Sequence, residues 1–200
     1  MIASAQKSYL TPEDYLQLEE SSPVKHEYID GAVYAMAGAS DAHVAIALNL
    51  AADLRSHLRG SHCRVYISDM KVQIESLNRY FYPDVMVTCD PRDQKTTTYK
   101  CFPKLIVEVL STSTAAFDRG DKFADYQQLE SLQEYVLINT HLKRVECYRR
   151  QEQGLWSVQF FRATDPAFEL KSIDYKGSLE TLYENVVFPS RTDQKDRAQS

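Results

Sequence analysis

The run Lys104–Leu110, KLIVEVL, is apolar except for its first residue and one acid, Glu108. A near-continuous apolar stretch of this length reads as a central strand covered on both faces. Carboxylates are rarely buried unless they are paired or bound to a metal. The fold must therefore supply Glu108 with a polar partner in its interior. Asp84 poses the same problem, because it follows Pro83 inside the strand-like run Tyr80–Thr88. Two such strands side by side would bring both carboxylates to one edge. A divalent cation would then neutralise them, and hard oxygen ligands of this kind suit Mg²⁺ or Mn²⁺. The competing reading pairs Glu108 with a lysine or arginine and uses Asp84 to cap a turn.

The rest of the pattern supplies the elements around these strands. Thr11-Pro12-Glu13 opens a helix that runs to about Glu20, with threonine as N-cap and proline in the first turn. Lys25–Met36 alternates around Asp30-Gly31, a two-residue hairpin signal. Ser40–Leu58 is the longest helical pattern, capped by Ser40 or Asp41 and ended by Gly60. Cys63–Glu75 alternates as one strand, which would put Asp69 and Lys71 on the same face. The polar segment Cys89–Cys101 reads as a mobile loop. Asp121–Leu132 reads as a helix, Glu134–Asn139, Arg144–Arg149 and Trp156–Phe161 as strands, and Ser178–Tyr183 as a last short helix. This order predicts an α/β (α+β) chain with a central mixed sheet flanked by helices. One domain is expected over residues 1–189, with a polar tail at 190–200.

Composition narrows the function classes. The net charge of −5 argues against a broadly basic nucleic-acid wrapper, though not against a local basic groove. No apolar run reaches the roughly 20 residues needed to span a bilayer, and no signal-peptide core stands at the start. A cytoplasmic location is expected. The four cysteines (63, 89, 101 and 147) lack zinc-site spacing and are expected as free thiols.

Pro83-Asp84, followed by an apolar strand with an embedded acid, resembles the PD-(D/E)XK nuclease superfamily. The stretches HEYIDGAVYAMAGASDAH, YPDVMV, PKLIVEVLSTST, DRGDKFADYQQL and EYVLIN run in order over Lys25–Asn139. Together they are similar to a bacterial family of restriction-endonuclease-like proteins long catalogued as a domain of unknown function. The resemblance implies a restriction-endonuclease-like core with Asp84 and Glu108 as metal-binding carboxylates and Glu27 completing the metal site. Leu110 stands where the superfamily's E-x-K lysine would be. In the closer family a lysine on the following helix takes that role, here Lys122. Thr112 and Asn139 also depart from the family pattern, at positions that do not read as ligands.

The implied chemistry is metal-dependent phosphodiester hydrolysis, with Lys122 orienting water and offsetting charge on the phosphate. Its competing reading is a solvated helix face. His43 and Lys71 are further candidate contacts to substrate, against the plainer reading of a structural hydrogen-bonder and a cross-sheet pair. Tyr126 reads as packing, and Asp118 and Asp121 as charges at a helix start. DNA is the expected substrate, and a homodimer is expected by analogy with enzymes that cut palindromes. The strands between Glu134 and Phe161 either supply that interface or simply finish the sheet. Two other functions compete with a DNA endonuclease. One is an inactive nuclease-fold binding or scaffold module, and the other is a hydrolase acting on a different substrate.

Overall fold

The computed structural model describes residues 9–188. The expected tail from Ser190 lies outside the described residues. Helix α1 spans Pro12–Ser21 and is closed by a reciprocal capping box between Thr11 and Asp14. Strands β1 (His26–Ile29) and β2 (Ala32–Ala35) form the expected hairpin. Its two turn residues, Asp30 and Gly31, both have positive φ, at 45° and 86°. That conformation matches the twist of the flanking strands. A side chain at Gly31 would have to displace the Tyr9 ring as well as adopt this left-handed backbone, so glycine is strongly favoured here. Helix α2 covers Asp41–His57, and the Ser40 hydroxyl accepts from the His43 N–H.

The two long runs between Cys63 and Thr88 do not form two strands. Each is broken in the middle. The first gives β3 (Arg64–Ile67) and β4 (Lys71–Ile74), and the second gives β5 (Arg79–Phe81) and β6 (Val85–Thr88). The breaks lie level with one another, so the outer halves pair Ile67 with Val85 and the inner halves pair Val72 with Phe81. The ribbon thus bends as a unit and each half joins a different sheet. Pro83 explains one break, since it cannot donate to a ladder. Asp69 falls in the turn between β3 and β4 and is not on one strand with Lys71.

After β6 come β7 (Tyr99–Lys100), β8 (Pro103–Leu110), α3 (Ala115–Arg119), α4 (Asp121–Tyr126), β9 (Glu134–Asn139), β10 (Arg144–Arg150) and β11 (Trp156–Arg162). A small antiparallel pair, β12 (Phe168–Leu170) and β13 (Tyr175–Gly177), and helix α5 (Leu179–Leu182) follow. The central sheet has the order β11-β10-β9-β8-β6-β3, and the smaller one β2-β1-β5-β4-β7. Both are mixed. In the central sheet β8 and β9 run parallel with α3 and α4 in the crossover, and its other pairs are antiparallel.

Alternation along β8 divides the core. Leu105, Val107 and Val109 pack with Ile46, Leu50 and Leu54 of α2. Ile106 and Leu110 pack on the opposite face with Phe81, Val72 and Tyr126. Glu108 belongs by period to that second face. A third cluster of Tyr15, Tyr28 and Tyr80 seats α1 on the smaller sheet.

Three further expectations are corrected. The helix expected over Asp121–Leu132 stops at Tyr126. Beyond it the Arg150 guanidinium collects the carbonyls of Gln127, Leu129 and Leu132 at 2.8–2.9 Å, satisfying acceptors that a longer helix would have used. Cys63 and Cys89 are joined in a disulfide, leaving Cys101 and Cys147 free. The antiparallel register that pairs Arg64 with Thr88 is what sets them face to face. The segment Cys89–Cys101 is anchored where mobility was expected. Its buried Asp93 accepts from the N–H groups of Cys101 and Phe102 and from the Thr88 hydroxyl, and its buried Lys100 donates to the Asp93 carbonyl.

Asp93→Ala should therefore lower stability by roughly 2–4 kcal/mol, the scale for stranding several buried donors. Urea denaturation measures the loss, and amide exchange should quicken over residues 89–101. A variant within about 0.5 kcal/mol of the parent would show that the anchor is dispensable.

Candidate active site

The site forms where the bent ribbon leaves the central sheet. β6 pairs with β8 through Val85–Val107 and Met86–Ile106. Carrying that register one residue outward sets Asp84 level with Glu108 at the end of the ladder, where the Asp84 side chain meets His43 of α2. The crossover after β8 brings α3 and α4 over the face of Glu108, with a break at Gly120. From them Asp118, Lys122 and Tyr126 turn inward, all buried. Glu27 reaches the same point from β1 of the smaller sheet.

Lys122 stands at the centre. Its ammonium lies 2.9 Å from Glu27 Oε1, 3.0 Å from Glu108 Oε1 and 3.8 Å from Asp118 Oδ1. The Tyr126 hydroxyl also donates to Glu108 Oε1, at 3.1 Å. Two donors thus converge on one oxygen of Glu108. Asp84 is held separately: its Oδ1 meets His43 Nε2 at 2.8 Å, and its Oδ2 accepts the Val109 N–H at 2.7 Å. His43 comes from the first turn of α2.

Burial pushes the Glu108 carboxyl well above the usual carboxylate range. Lys122 opposes that rise, and Asp84, Asp118 and Glu27 add to it. Asp118 is raised too, first by burial, again with Lys122 opposing. For Lys122 burial favours the neutral amine, but Glu108, Glu27 and Asp118 together outweigh it and hold the ammonium form. The Tyr126 hydroxyl is pushed far up by burial and by Glu108, so it stays a donor. Three carboxylates around one ammonium, with Asp84 beside them, leave an excess of negative charge in a largely buried site, which either protons or a cation must offset.

The donor chemistry suits a hard divalent cation, because carboxylate oxygens dominate. Asp84 and Glu108 are the residues that would hold it, as each keeps accepting capacity beyond the bonds described. The acids do not all close on a single point. Among the described residues, the one trio of His, Cys, Asp or Glu with ligand atoms within 4.8 Å of one another is His62, Cys63 and Cys89. Glu27 is engaged with Lys122.

Of the residues predicted from sequence, Glu27, Glu108 and Lys122 are brought into direct contact, and Asp84 and His43 form a second bonded pair beside them. Lys71 stands apart. It is buried with its ammonium 5.0 Å from the Tyr82 ring centre, and burial lowers its pKa, partly offset by Glu19 and Glu20. Sequence reasoning missed two members of the cluster, Asp118 and Tyr126. Their spacing of four residues either side of Lys122 was the available signal.

The raised carboxyls give a stability that depends on pH. A group whose pKa is higher in the folded protein contributes stability that is fully present below its unfolded value and lost as pH rises through the folded one. In metal-free buffer the protein should lose stability as pH rises from the ordinary carboxylate range through the raised Glu108 value, at up to about 1.4 kcal/mol per pH unit for each proton involved. Glu108→Gln cannot ionise and should flatten that slope. Parallel slopes in urea denaturation across the pH series would show that Glu108 is not elevated.

The chain is similar to several known proteins. The sequence model of the Uma2 family, described as "Putative restriction endonuclease", matches residues 12–173. An uncharacterized protein of Synechocystis sp., slr1290, is 42% identical over 179 residues, covering 90% of this chain and 94% of the relative. A second uncharacterized protein of that organism, sll1609, is 38% identical over 161 residues, covering 78% and 89%. A crystal structure from Anabaena variabilis, described as a "putative nuclease belonging to DUF820", aligns with a TM-score of 0.71 at 18% identity over 89% of this chain and 99% of that one, and so shares the fold. With a restriction-endonuclease-like fold and a family match that spans Glu27, Asp84, Glu108 and Lys122, the chain belongs to the Uma2 family.

Proposed function

We propose that the protein is a metal-dependent nuclease that hydrolyses phosphodiester bonds in DNA, in the cytoplasm. The observation that carries this reading is the group of buried Glu108 and Lys122 with half-buried Asp84 beside them, in which acids outnumber the one ammonium. Asp84 and Glu108 would hold Mg²⁺ or Mn²⁺, with Glu27 as a further ligand candidate. When bound, the ion supplies Lewis acidity and a water of lowered pKa. His43 and the Val109 N–H fix the Asp84 carboxylate, and Tyr126 fixes Glu108. Lys122 orients the attacking water and offsets charge that develops on the phosphate.

A second reading has its own support. Lys122 lies between Glu27 and Glu108, so the acids are partly neutralised without any metal, as in a purely structural cluster. A nuclease-fold module that binds without cutting would keep it.

Supercoiled plasmid incubated with Mg²⁺ or Mn²⁺ separates the two. The wild type should nick or linearise it, and Asp84→Ala, Glu108→Ala and Lys122→Met should each slow cutting by roughly 100-fold or more. Each variant is first checked for folding by circular dichroism. Wild-type cutting no faster than that of folded Asp84→Ala, under either metal, sinks the nuclease reading. RNA and small phosphodiesters in the same assay test the substrate class.

The assembly is a homodimer joined at β11. This seven-residue strand ends the central sheet with one side unpaired among the described residues. It exposes Val158 and Phe160. Antiparallel pairing with a second copy about Gln159 would oppose Val158 with Phe160, and Trp156 with Arg162, a cation over an aromatic ring. Phe160→Asp should give a monomer in light scattering at a concentration where the wild type is a dimer. A monomeric wild type at micromolar concentration rules this assembly out.

A further inference from the structure

We propose that His62, Cys63 and Cys89 form a second, chemically different metal site, one that takes Zn²⁺ when the Cys63–Cys89 disulfide is reduced. The three residues lie at the far end of β6 from Asp84. β6 begins at Val85, just after Asp84, and ends at Thr88, just before Cys89. Five residues of extended chain put the two sites roughly 17 Å apart.

The sheet register builds this trio. Arg64 pairs with Thr88, so the next residues outward, Cys63 and Cys89, face each other across the strand ends with Cα atoms 4.0 Å apart. His62 adjoins Cys63 in the chain, and its ring joins the two sulfurs within a 4.8 Å envelope. His62 is exposed and both cysteines are partly exposed, so reductant and metal have access from solvent. Two tetrahedrally bound thiolates with Zn–S near 2.3 Å stand about 3.8 Å apart. Residues facing each other at this spacing reach that separation by side-chain rotation, with no change of backbone. Two thiolates and an imidazole are borderline-soft ligands. They favour zinc over the magnesium-class ion that suits Asp84 and Glu108.

The neighbouring acid does not complete the set. Both oxygens of Asp90 are taken by the Arg92 side chain, at 2.9 and 2.6 Å. The fourth position therefore falls to water, as in an open three-ligand site. Reduction by a small dithiol or thiol balances simply. The disulfide accepts two electrons and two protons to become two thiols, and the reductant becomes a disulfide. Zinc then displaces the two thiol protons. The bonded form has no thiolate to offer, so metal binding and the disulfide exclude each other.

The test uses the full chain, reduced anaerobically, freed of reductant and titrated with Co²⁺ as a spectroscopic stand-in for zinc. The reduced wild type should bind one equivalent more than the oxidised protein and show thiolate-to-cobalt charge transfer with tetrahedral visible bands, lost on adding Zn²⁺. The oxidised protein should show no charge-transfer band. Cobalt at Asp84 and Glu108 would give no charge-transfer band, so the two sites are told apart. Cys63→Ser and Cys89→Ser should each halve that band. His62→Ala should keep it but weaken zinc affinity by more than the roughly 10–100-fold that loss of an outer-shell partner costs. Cys101→Ser should leave the titration as in the wild type. The absence of a charge-transfer band in the reduced wild type overturns the site. So does a band that persists in Cys63→Ser/Cys89→Ser. Unchanged zinc affinity in His62→Ala overturns the three-ligand set. Zinc should also raise the melting temperature of the reduced protein by more than that of the oxidised form, and an equal rise in both forms overturns the cysteine site.

Discussion

The contact between the Lys122 ammonium and Glu108 is the interaction around which this fold is arranged. Glu108 lies in a buried interior strand of the central sheet, with Ile106 and Leu110 beside it on the same face. An ionised carboxylate there with no partner would be costly enough to pick up a proton instead. Three elements deliver what it needs. Helix α4 brings the ammonium and the Tyr126 hydroxyl, β1 brings Glu27 to the ammonium's other side, and the ribbon corner sets Asp84 alongside. These elements come from both sheets and from the crossover. Removing Lys122 would leave several acids facing one another in a dry space.

The bent ribbon is what allows two sheets to share one site. A straight hairpin from Cys63 to Thr88 would have kept β4 and β5 in the plane of the central sheet and left the face of Glu108 uncovered. Breaking both strands at the same level turns the inner halves across that face, so that Val72 and Phe81 pack onto Ile106. The corner residue Asp84 then has no full ladder partner. Its side chain takes up the Val109 N–H instead, a backbone donor at the rim of the sheet. A carboxylate fixed this way on one side, and by His43 on the other, is held in one orientation.

Much of this was legible in the sequence, for definite reasons. The hairpin at Asp30-Gly31, the cap at Thr11 and the helix from Ser40 all depend on local chemistry. Glu108 stood out because an acid within LIVEVL contradicts its surroundings. The misreadings share one cause. Alternation reports which side of a strand is buried but not which sheet buries it, so the runs through Ser68–Met70 and Tyr82–Asp84 looked continuous. The Cys63–Cys89 contact and the anchor at Asp93 depend on register between distant segments, which spacing along the chain does not carry. Asp118 and Tyr126 were passed over because a position near a helix start and a position on an apolar helix face each have a common, plainer explanation.

The missing E-x-K lysine follows from the same packing. Position 110 lies on the same face of β8 as Glu108, two residues on, so a lysine there would point towards the acids. Leu110 instead fills the apolar cluster with Tyr126, Leu129 and Leu137. The positive charge comes from α4, entered through the break at Gly120, where φ and ψ are −107° and −104°. A lysine on a helix approaches from above the sheet and leaves the strand wholly apolar around its single acid. It can also reach Glu27 on the other sheet, which ties the two layers together through one ammonium. A lysine confined to β8 would have been sited to serve the acids of its own sheet. The relocated one joins the proposed chemistry to the packing of the two sheets. Substitutions at Lys122 should therefore lower activity and stability together, whereas a substitute for His43 that cannot hydrogen-bond should chiefly free the Asp84 carboxylate.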